Sequence, residues 1–223
     1  MLGGELFRNL PEPELRRLVT IAKRRRFGRN EVVFHRGDPA DTLHLIVRGR
    51  FAARVETDVG DLVTVSVHGP GEAFGELALI DLEQSRSTTV AALEPGETYA
   101  VRRNDFSRLR QEYPGVNEVL VRLLAARVRR MSELYVEALF VDAETRVLRR
   151  LHELAALYGQ GAPGTVIPLP QKEIAGLAGT SRATVNRVLR AEAARGSVDL
   201  HRGQTRIVDP AALARRAGSR RPS

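Results

Sequence analysis

Two short stretches of the chain carry side chains whose types and spacing suit molecular recognition. In Gly71-Glu72-Ala73-Phe74-Gly75-Glu76-Leu77-Ala78, followed by Arg86-Ser87-Thr88, the glycines let backbone approach an anion closely. Arg86 offers a bidentate charge, and Ser87 and Thr88 offer hydroxyl donors. A carboxylate such as Glu76 repels phosphate but accepts from a ribose hydroxyl, so the set suits a sugar phosphate. The second stretch, Lys172 to Arg190, reads KEIAGLAGTSRATVNRVLR. Ile174, Leu177 and Ala178 recur at helical spacing, and Gly179 stands where a helix stops in a left-handed turn. Ser181 is a candidate N-cap for a second helix whose apolar face is Val185, Val188 and Leu189.

That pair of helices has the form of a helix-turn-helix. Arg182, Ala183, Asn186 and Arg187 fall on the free side of its second helix, near the N-terminal end that such a helix pushes into the major groove. Arginine grips guanine O6 and N7 with two hydrogen bonds, which makes Arg182 and Arg187 the candidate base readers. With Lys172, Thr180, Ser181 and Thr184 they form the candidate DNA-contact set. Charge supports double-stranded DNA as the partner. The chain has 35 Lys and Arg against 27 Asp and Glu, for a net charge of +8. Residues 143–223 hold 14 basic and 6 acidic groups, whereas residues 1–142 hold 21 of each. The whole excess sits beside the helix-turn-helix, where phosphate neutralisation requires it, and binding should weaken steeply with salt.

Further elements must position both stretches. At 223 residues the chain has room for two modest domains. Proline-rich NLPEPELRRLVTIA predicts a short opening helix with Pro11 and Pro13 at its start and Leu15, Leu18 and Ile21 on one face. The basic run Lys23 to Arg26 reads as a solvated surface. From there to about Arg103, short alternating runs (EVVFH, TLHLIV, FAARVET, LVTVSV) are spaced by Gly37, Gly49, Gly60 and Gly71. That spacing predicts an antiparallel jelly roll ending near Asp105. A long helix is expected from about Gly115 to Phe140. Its Val121, Leu124, Val128, Met131, Tyr135 and Ala138 step by three and four residues as in a coiled-coil seam. A second apolar set on it, Leu120, Leu123, Leu134 and Leu139, is expected to pack on the barrel, and the two faces together imply a homodimer.

Asp142 is placed to cap a further helix, Ala143 to Tyr158. After Gly196, SVDLHRG and TRIVDP read as a hairpin turning at Arg202-Gly203, a wing against the DNA backbone, and the basic tail is expected to fray beyond Ala217. The expected fold class is therefore α+β, with three parts. Residues 1–114 form a β-barrel effector domain, 115–141 a dimerisation helix, and 142–223 a winged helix-turn-helix with a basic tail.

Several motifs in this order resemble the CRP/FNR family of transcription regulators: the opening LF-x-x-L, HRGDPADTLHLIVRGR, PGEAFGELAL, RSTTVAAL, FVDAETR and TSRATVNR. The resemblance covers nearly the whole chain. It implies a homodimer in which a small effector in the barrel rearranges the long helices and brings the DNA-binding domains into register. It also implies a (pseudo)palindromic operator, an RNA polymerase partner and a cyclic nucleotide such as cAMP as effector. Glu76 resembles the residue that holds the ribose 2′-hydroxyl, and Arg86 with Ser87 resembles the phosphate clamp. Gly75, Leu77 and Thr88 complete the cradle. Met131 stands where the family has an adenine-contacting threonine, and Ser132 keeps the neighbouring serine. A thioether is a very weak acceptor, so the resting dimer is expected to be less dependent on its ligand. In the recognition helix Ala183 stands where cyclic-AMP-responsive members have glutamate, which predicts weaker discrimination at one base pair.

Other classes fit less well. The five histidines, His35, His44, His68, His152 and His201, show no metal-ligating spacing, so neither a metal site nor a jelly-roll enzyme is expected. A haem sensor would require a barrel ligand such as His68. A constitutive or architectural DNA binder of the same fold remains the alternative. The absence of cysteine rules out disulfides and thiolate-held clusters within this chain. No run reaches signal-peptide or transmembrane character, so the expected location is cytoplasmic, without a membrane partner.

Overall fold

The computed structural model describes residues 12–58, 62–80, 85–113 and 115–218. The chain divides into two compact units, one through Arg130 and one from Met131.

The first unit opens with α1 (Glu12–Ile21), which buries Leu18 and half-buries Ile21. Pro11 and the side chain of Leu15 lie outside the described residues. Eight strands follow: β1 (Lys23–Phe27), β2 (Val32–Phe34), β3 (Thr42–Arg48), β4 (Phe51–Glu56), β5 (Leu62–His68), β6 (Ala73–Phe74), β7 (Thr89–Ala92) and β8 (Gly96–Arg102). They form two four-stranded antiparallel sheets, ordered β1-β8-β3-β6 and β2-β7-β4-β5. Phe27, Ile46, Phe51, Phe74 and Val90 fill one core cluster, each on a face set by the period-two alternation of its strand. Gly37, Gly49 and Gly71 adopt positive φ, as their turns require, while Gly60 lies outside the described residues.

One expectation is extended in this unit and one is corrected: the solvated surface expected of Lys23 to Arg26 is present, since all four residues are exposed, and the run has regular structure besides. The basic run Lys23 to Arg26 is a strand, paired with β8 in register Arg24↔Tyr99 and Arg26↔Glu97. Its arginines are exposed, but Arg24 Nε and Nη2 donate to Glu97 at 2.5 and 2.8 Å. Arg26 and Arg48 lie 3.5 and 3.8 Å from the same carboxylate, whose side chain is only 2% exposed. These partners make a charged run compatible with a sheet edge. The correction follows the barrel, where a separate helix, α2 (Arg103–Glu112), intervenes before the long one and buries Phe106 and Leu109.

Helix α3 runs Gly115–Phe140. Its first half sends Val116, Leu120 and Leu123 into a core shared with Leu43, Leu45, Val101 and Phe106. Val121, Val128, Met131 and Tyr135 are 62–68% exposed. Leu139, expected to be packed, is 58% exposed and joins Val136 and Phe140 on the open surface.

In the second unit, α4 (Ala143–Gly159) starts at Asp142, which accepts from Thr145 N at 2.9 Å. β9 (Val166–Ile167) leads to α5 (Gln171–Ala178) and α6 (Arg182–Ala194). The hairpin of β10 (Val198–His201) and β11 (Gln204–Ile207) turns at Arg202-Gly203 and pairs with β9 through β11. A last helix, α7 (Pro210–Arg216), buries Ala212 and Leu213 and is capped by Asp209, and the fraying expected beyond Ala217 falls almost wholly on residues that are not described. Residues 219–223 lie outside the description. Among the described residues no helix is long and apolar enough to cross a membrane.

Candidate functional site

A short 3-10 helix (Glu76–Leu79) follows β6, and its position depends on Gly75. Gly75 sits at φ 80°, and a Cβ there would stand 2.7 Å from Arg86 Nη1 and 2.9 Å from the Thr42 carbonyl oxygen. Both the backbone angle and the space therefore demand glycine. Arg86 is 6% exposed. Its Nη1 donates to Thr42 O at 2.8 Å, its guanidinium lies 4.0 Å from the Phe34 ring centroid, and Asp41 is 3.8 Å from Nη2. Its Nε is buried without a hydrogen-bond partner. Burial pulls the guanidinium down from its ordinary value, against the opposing pull of Asp41, Asp38 and Glu76.

Glu76 is largely covered, and its Oε1 lies 3.5 Å from Arg127 Nε on α3. Arg127 Nη2 also donates to Ala73 O at 2.9 Å. Sequence reasoning missed Arg127, Phe34 and Asp41; each is separated from the Gly75–Arg86 segment by a chain reversal. Leu77 and Ser87 are exposed and Thr88 is half-buried, so both hydroxyl side chains beside Arg86 reach solvent. Gly75, Glu76 and Arg86 are thus brought together. Arg103 secures the segment from behind, donating to the carbonyls of Ala78 and Ala40. Met131 and Ser132 are exposed at the start of the second unit. A buried guanidinium with an unsatisfied N–H, beside a glycine cradle and a carboxylate, fits an anionic sugar.

The barrel histidines have other roles. His68 is buried, with Nε2 2.9 Å from Ser66 Oγ and Nδ1 3.4 Å from Glu72, so iron ligation would cost one of these contacts. His44 stacks on Phe74 at 5.0 Å and meets Thr98 Oγ1 through Nδ1 at 3.0 Å. Burial pulls its pKa down to about 3.

In the second unit, Gly179 closes α5 at φ 57°, and Ser181 caps α6 by accepting from Thr184 N at 3.1 Å. Val185, Val188 and Leu189 are buried on α6. On α5 the buried residues are Ile174, Ala175 and Ala178, with Leu177 only half-covered. Lys172, Ser181, Arg182, Ala183 and Arg187 are exposed, and Thr180, Thr184 and Asn186 are half-buried. Asn186 donates to Gln171 at 3.1 Å, and Arg187 Nη1 lies 3.8 Å from Glu144.

The α5–α6 turn is fastened by a residue absent from the sequence-based set. Arg146 donates from Nε to Ala178 O at 2.9 Å, from Nη2 to Gly179 O at 3.1 Å and from Nη1 to Val141 O at 2.6 Å. A cation at the carbonyl end of α5 also complements that helix's dipole.

Known proteins show the same two parts. A family model described as a cyclic nucleotide-binding domain matches residues 24–113, and one described as a Crp-like helix-turn-helix domain matches residues 145–216. The chain is 35% identical over 214 residues to the cyclic AMP receptor protein of Thermus thermophilus, covering 96% of each protein. It is 32% identical over 194 residues to the CRP-like cAMP-activated global transcriptional regulator of Mycobacterium tuberculosis, covering 86% of each. The fold is also that of the c-di-GMP-responsive global regulator of Xanthomonas campestris, with a TM-score of 0.76 at 24% identity over 89% of this chain and 99% of that one. With both domains in family order and relatives matched along nearly their full length, the chain belongs to the CRP/FNR family of DNA-binding transcription regulators.

Proposed function

We propose that this regulator acts as a homodimer on a (pseudo)palindromic operator and takes a cyclic nucleotide, cAMP first among them, in its barrel. The observation that carries the ligand is Arg86, a buried guanidinium with an unpartnered N–H beside Gly75 and Glu76. In this reading Arg86, Ser87 and Thr88 meet the phosphate, with Gly75 and Leu77 completing the cradle. Glu76 accepts from the ribose hydroxyl while remaining near Arg127; Met131 and Ser132, the base-side candidates by resemblance, belong to the second unit. The dimer reading rests on the exposed apolar stripe of α3, which water would otherwise cover.

On DNA, Arg182 and Arg187 read base edges, and Lys172, Thr180, Ser181, Thr184 and Asn186 set the register of α6. RNA polymerase is the expected protein partner, and the cytoplasm the expected location. The test is isothermal titration of the purified protein with cAMP and with cGMP, paired with a DNA-binding assay on the same samples. Saturable cAMP binding that is lost in Arg86→Leu supports the reading; absence of binding by either nucleotide overturns the ligand assignment.

One observation favours a second reading of control. Met131 is 68% exposed on the α3 stripe and adds apolar surface where the family has a threonine. If that surface stabilises the active arrangement of the helices, cAMP has little differential affinity left to exploit. Operator affinity should then rise less than about tenfold on adding cAMP, and a gain of about a hundredfold overturns this second reading.

A further inference from the structure

The first turn of α4 is built to hold side chains against the helix-turn-helix. Asp142 accepts from Thr145 N and Thr145 Oγ1 at 2.9 and 2.7 Å, which fixes the turn, and Arg146 ties it to the carbonyls of Ala178 and Gly179. Glu144 lies between those anchors, with Oε2 3.8 Å from Arg187 Nη1 on α6. The first turn of α6 carries no acid, and the helix's single glutamate, Glu192, is fully buried. A carboxylate therefore reaches a base-reading arginine from a neighbouring helix.

An arginine facing DNA has two competing uses. Contact with a phosphate adds affinity without sequence information, whereas contact with a guanine edge adds discrimination. A carboxylate beside the guanidinium affects the two differently. It repels the charged phosphate oxygens that a backbone contact would bring close, and it repels the neutral guanine O6 and N7 far less. It also restricts a long side chain that is otherwise 69% exposed.

We propose that Glu144 is a positioning residue that turns Arg187 away from the phosphate backbone and toward base edges, raising the ratio of specific to non-specific DNA binding. This rests on the reading that α6 inserts into the major groove.

The experiment starts with the full-length dimer and a random-sequence duplex pool, from which the preferred site is selected. Affinity for that site and for a scrambled duplex is then measured in the parent, Glu144→Gln, Arg187→Gln and the double variant. In the parent background, Glu144→Gln should strengthen scrambled binding more than site binding. The ratio should fall by up to about fivefold, the range open to an exposed ion pair. The log-affinity against log-salt slope for scrambled DNA should steepen by about one per subunit, as Arg187 moves onto phosphate. In the Arg187→Gln background the same substitution should leave the ratio unchanged, because no guanidinium remains to position. If Glu144→Gln strengthens both affinities equally, or changes the ratio alike in both backgrounds, general charge repulsion explains Glu144 and the proposal fails. If Arg187→Gln leaves the ratio intact, α6 does not read through Arg187, and the failure lies in the underlying reading. Glu144 is 44% exposed at its side chain, so the variants should fold, and matched thermal midpoints check this.

Discussion

Arg86 and Glu76 take their properties from what surrounds them. A guanidinium costs most to bury when its N–H groups lack partners, and Arg86 keeps one such group at Nε while its Nη1 packs against a left-handed glycine. Gly75→Ala should therefore weaken nucleotide binding strongly: the new Cβ would meet Arg86 Nη1 at 2.7 Å on a backbone that disfavours side chains. Calorimetric titration with cAMP reads the loss. His44 supplies a pH effect with a definite sign. Its pKa in the fold is about 3 against an ordinary 6.5, so the unfolded chain binds the proton more readily. The contribution of neutral His44 is complete above pH 6.5 and is lost as pH falls toward 3, at about 1.4 kcal/mol per pH unit. Urea midpoints across that window should decline less steeply in His44→Gln. On the DNA side, Ala183 is exposed on α6 where a glutamate would accept from cytosine N4. Ala183→Glu should sharpen discrimination at one base pair by about 1–3 kcal/mol in a binding selection.

Charged residues join elements that local sequence reads separately. β1 is a sheet edge made of Lys and Arg, held by the Glu97 carboxylate of β8. The hydrogen bond from Arg24 holds that carboxyl below its ordinary value against the opposing effect of burial. Its stabilisation is present above the ordinary carboxylate range and fades as pH falls through the lowered value. Glu97→Gln should lower the thermal midpoint at neutral pH, with the difference from the parent shrinking in acid. The terminal helix α7 is latched in the same way. Arg216 bonds both Glu192 of α6 and Ser197, while Arg195 holds Glu192 Oε1 at 2.8 Å. Burial alone would raise the Glu192 carboxyl, but bonds from Arg216 and Arg195 outweigh it and leave it lowered. Arg216→Ala should cost about 2 kcal/mol in urea unfolding, since a buried carboxylate then keeps only part of its partners.

At the scale of the whole molecule, the charge excess bears on the proposed DNA partner and the apolar stripe on the proposed homodimer. The surplus of basic groups in residues 143–223 belongs to the unit that carries α6 and the wing. Val121, Val128, Met131 and Tyr135 line up along α3 at intervals of seven, three and four residues, all exposed in a single chain. Val128→Glu should shift the protein from dimer to monomer in sedimentation velocity and weaken operator binding in parallel, because paired half-sites need paired readers.

Much of this was legible from neighbouring residues alone. Gly179 in its left-handed turn, the Ser181 and Asp142 caps, the wing turn at Gly203 and the α3 periodicity all depend on contacts within a few positions, where residue type fixes local backbone energy. Composition likewise located the basic excess in residues 143–223, because net charge needs no fold to be counted. Other features required the tertiary structure: the strand identity of a basic run, the α2 helix after the barrel, the exposure of Leu139, and the approach of Glu144 to Arg187. Arg24 and Glu97 are 73 positions apart, and Arg86 and Thr42 are 44 apart. Such pairs become partners only when the chain reverses on itself and burial removes the water that would otherwise serve each charge.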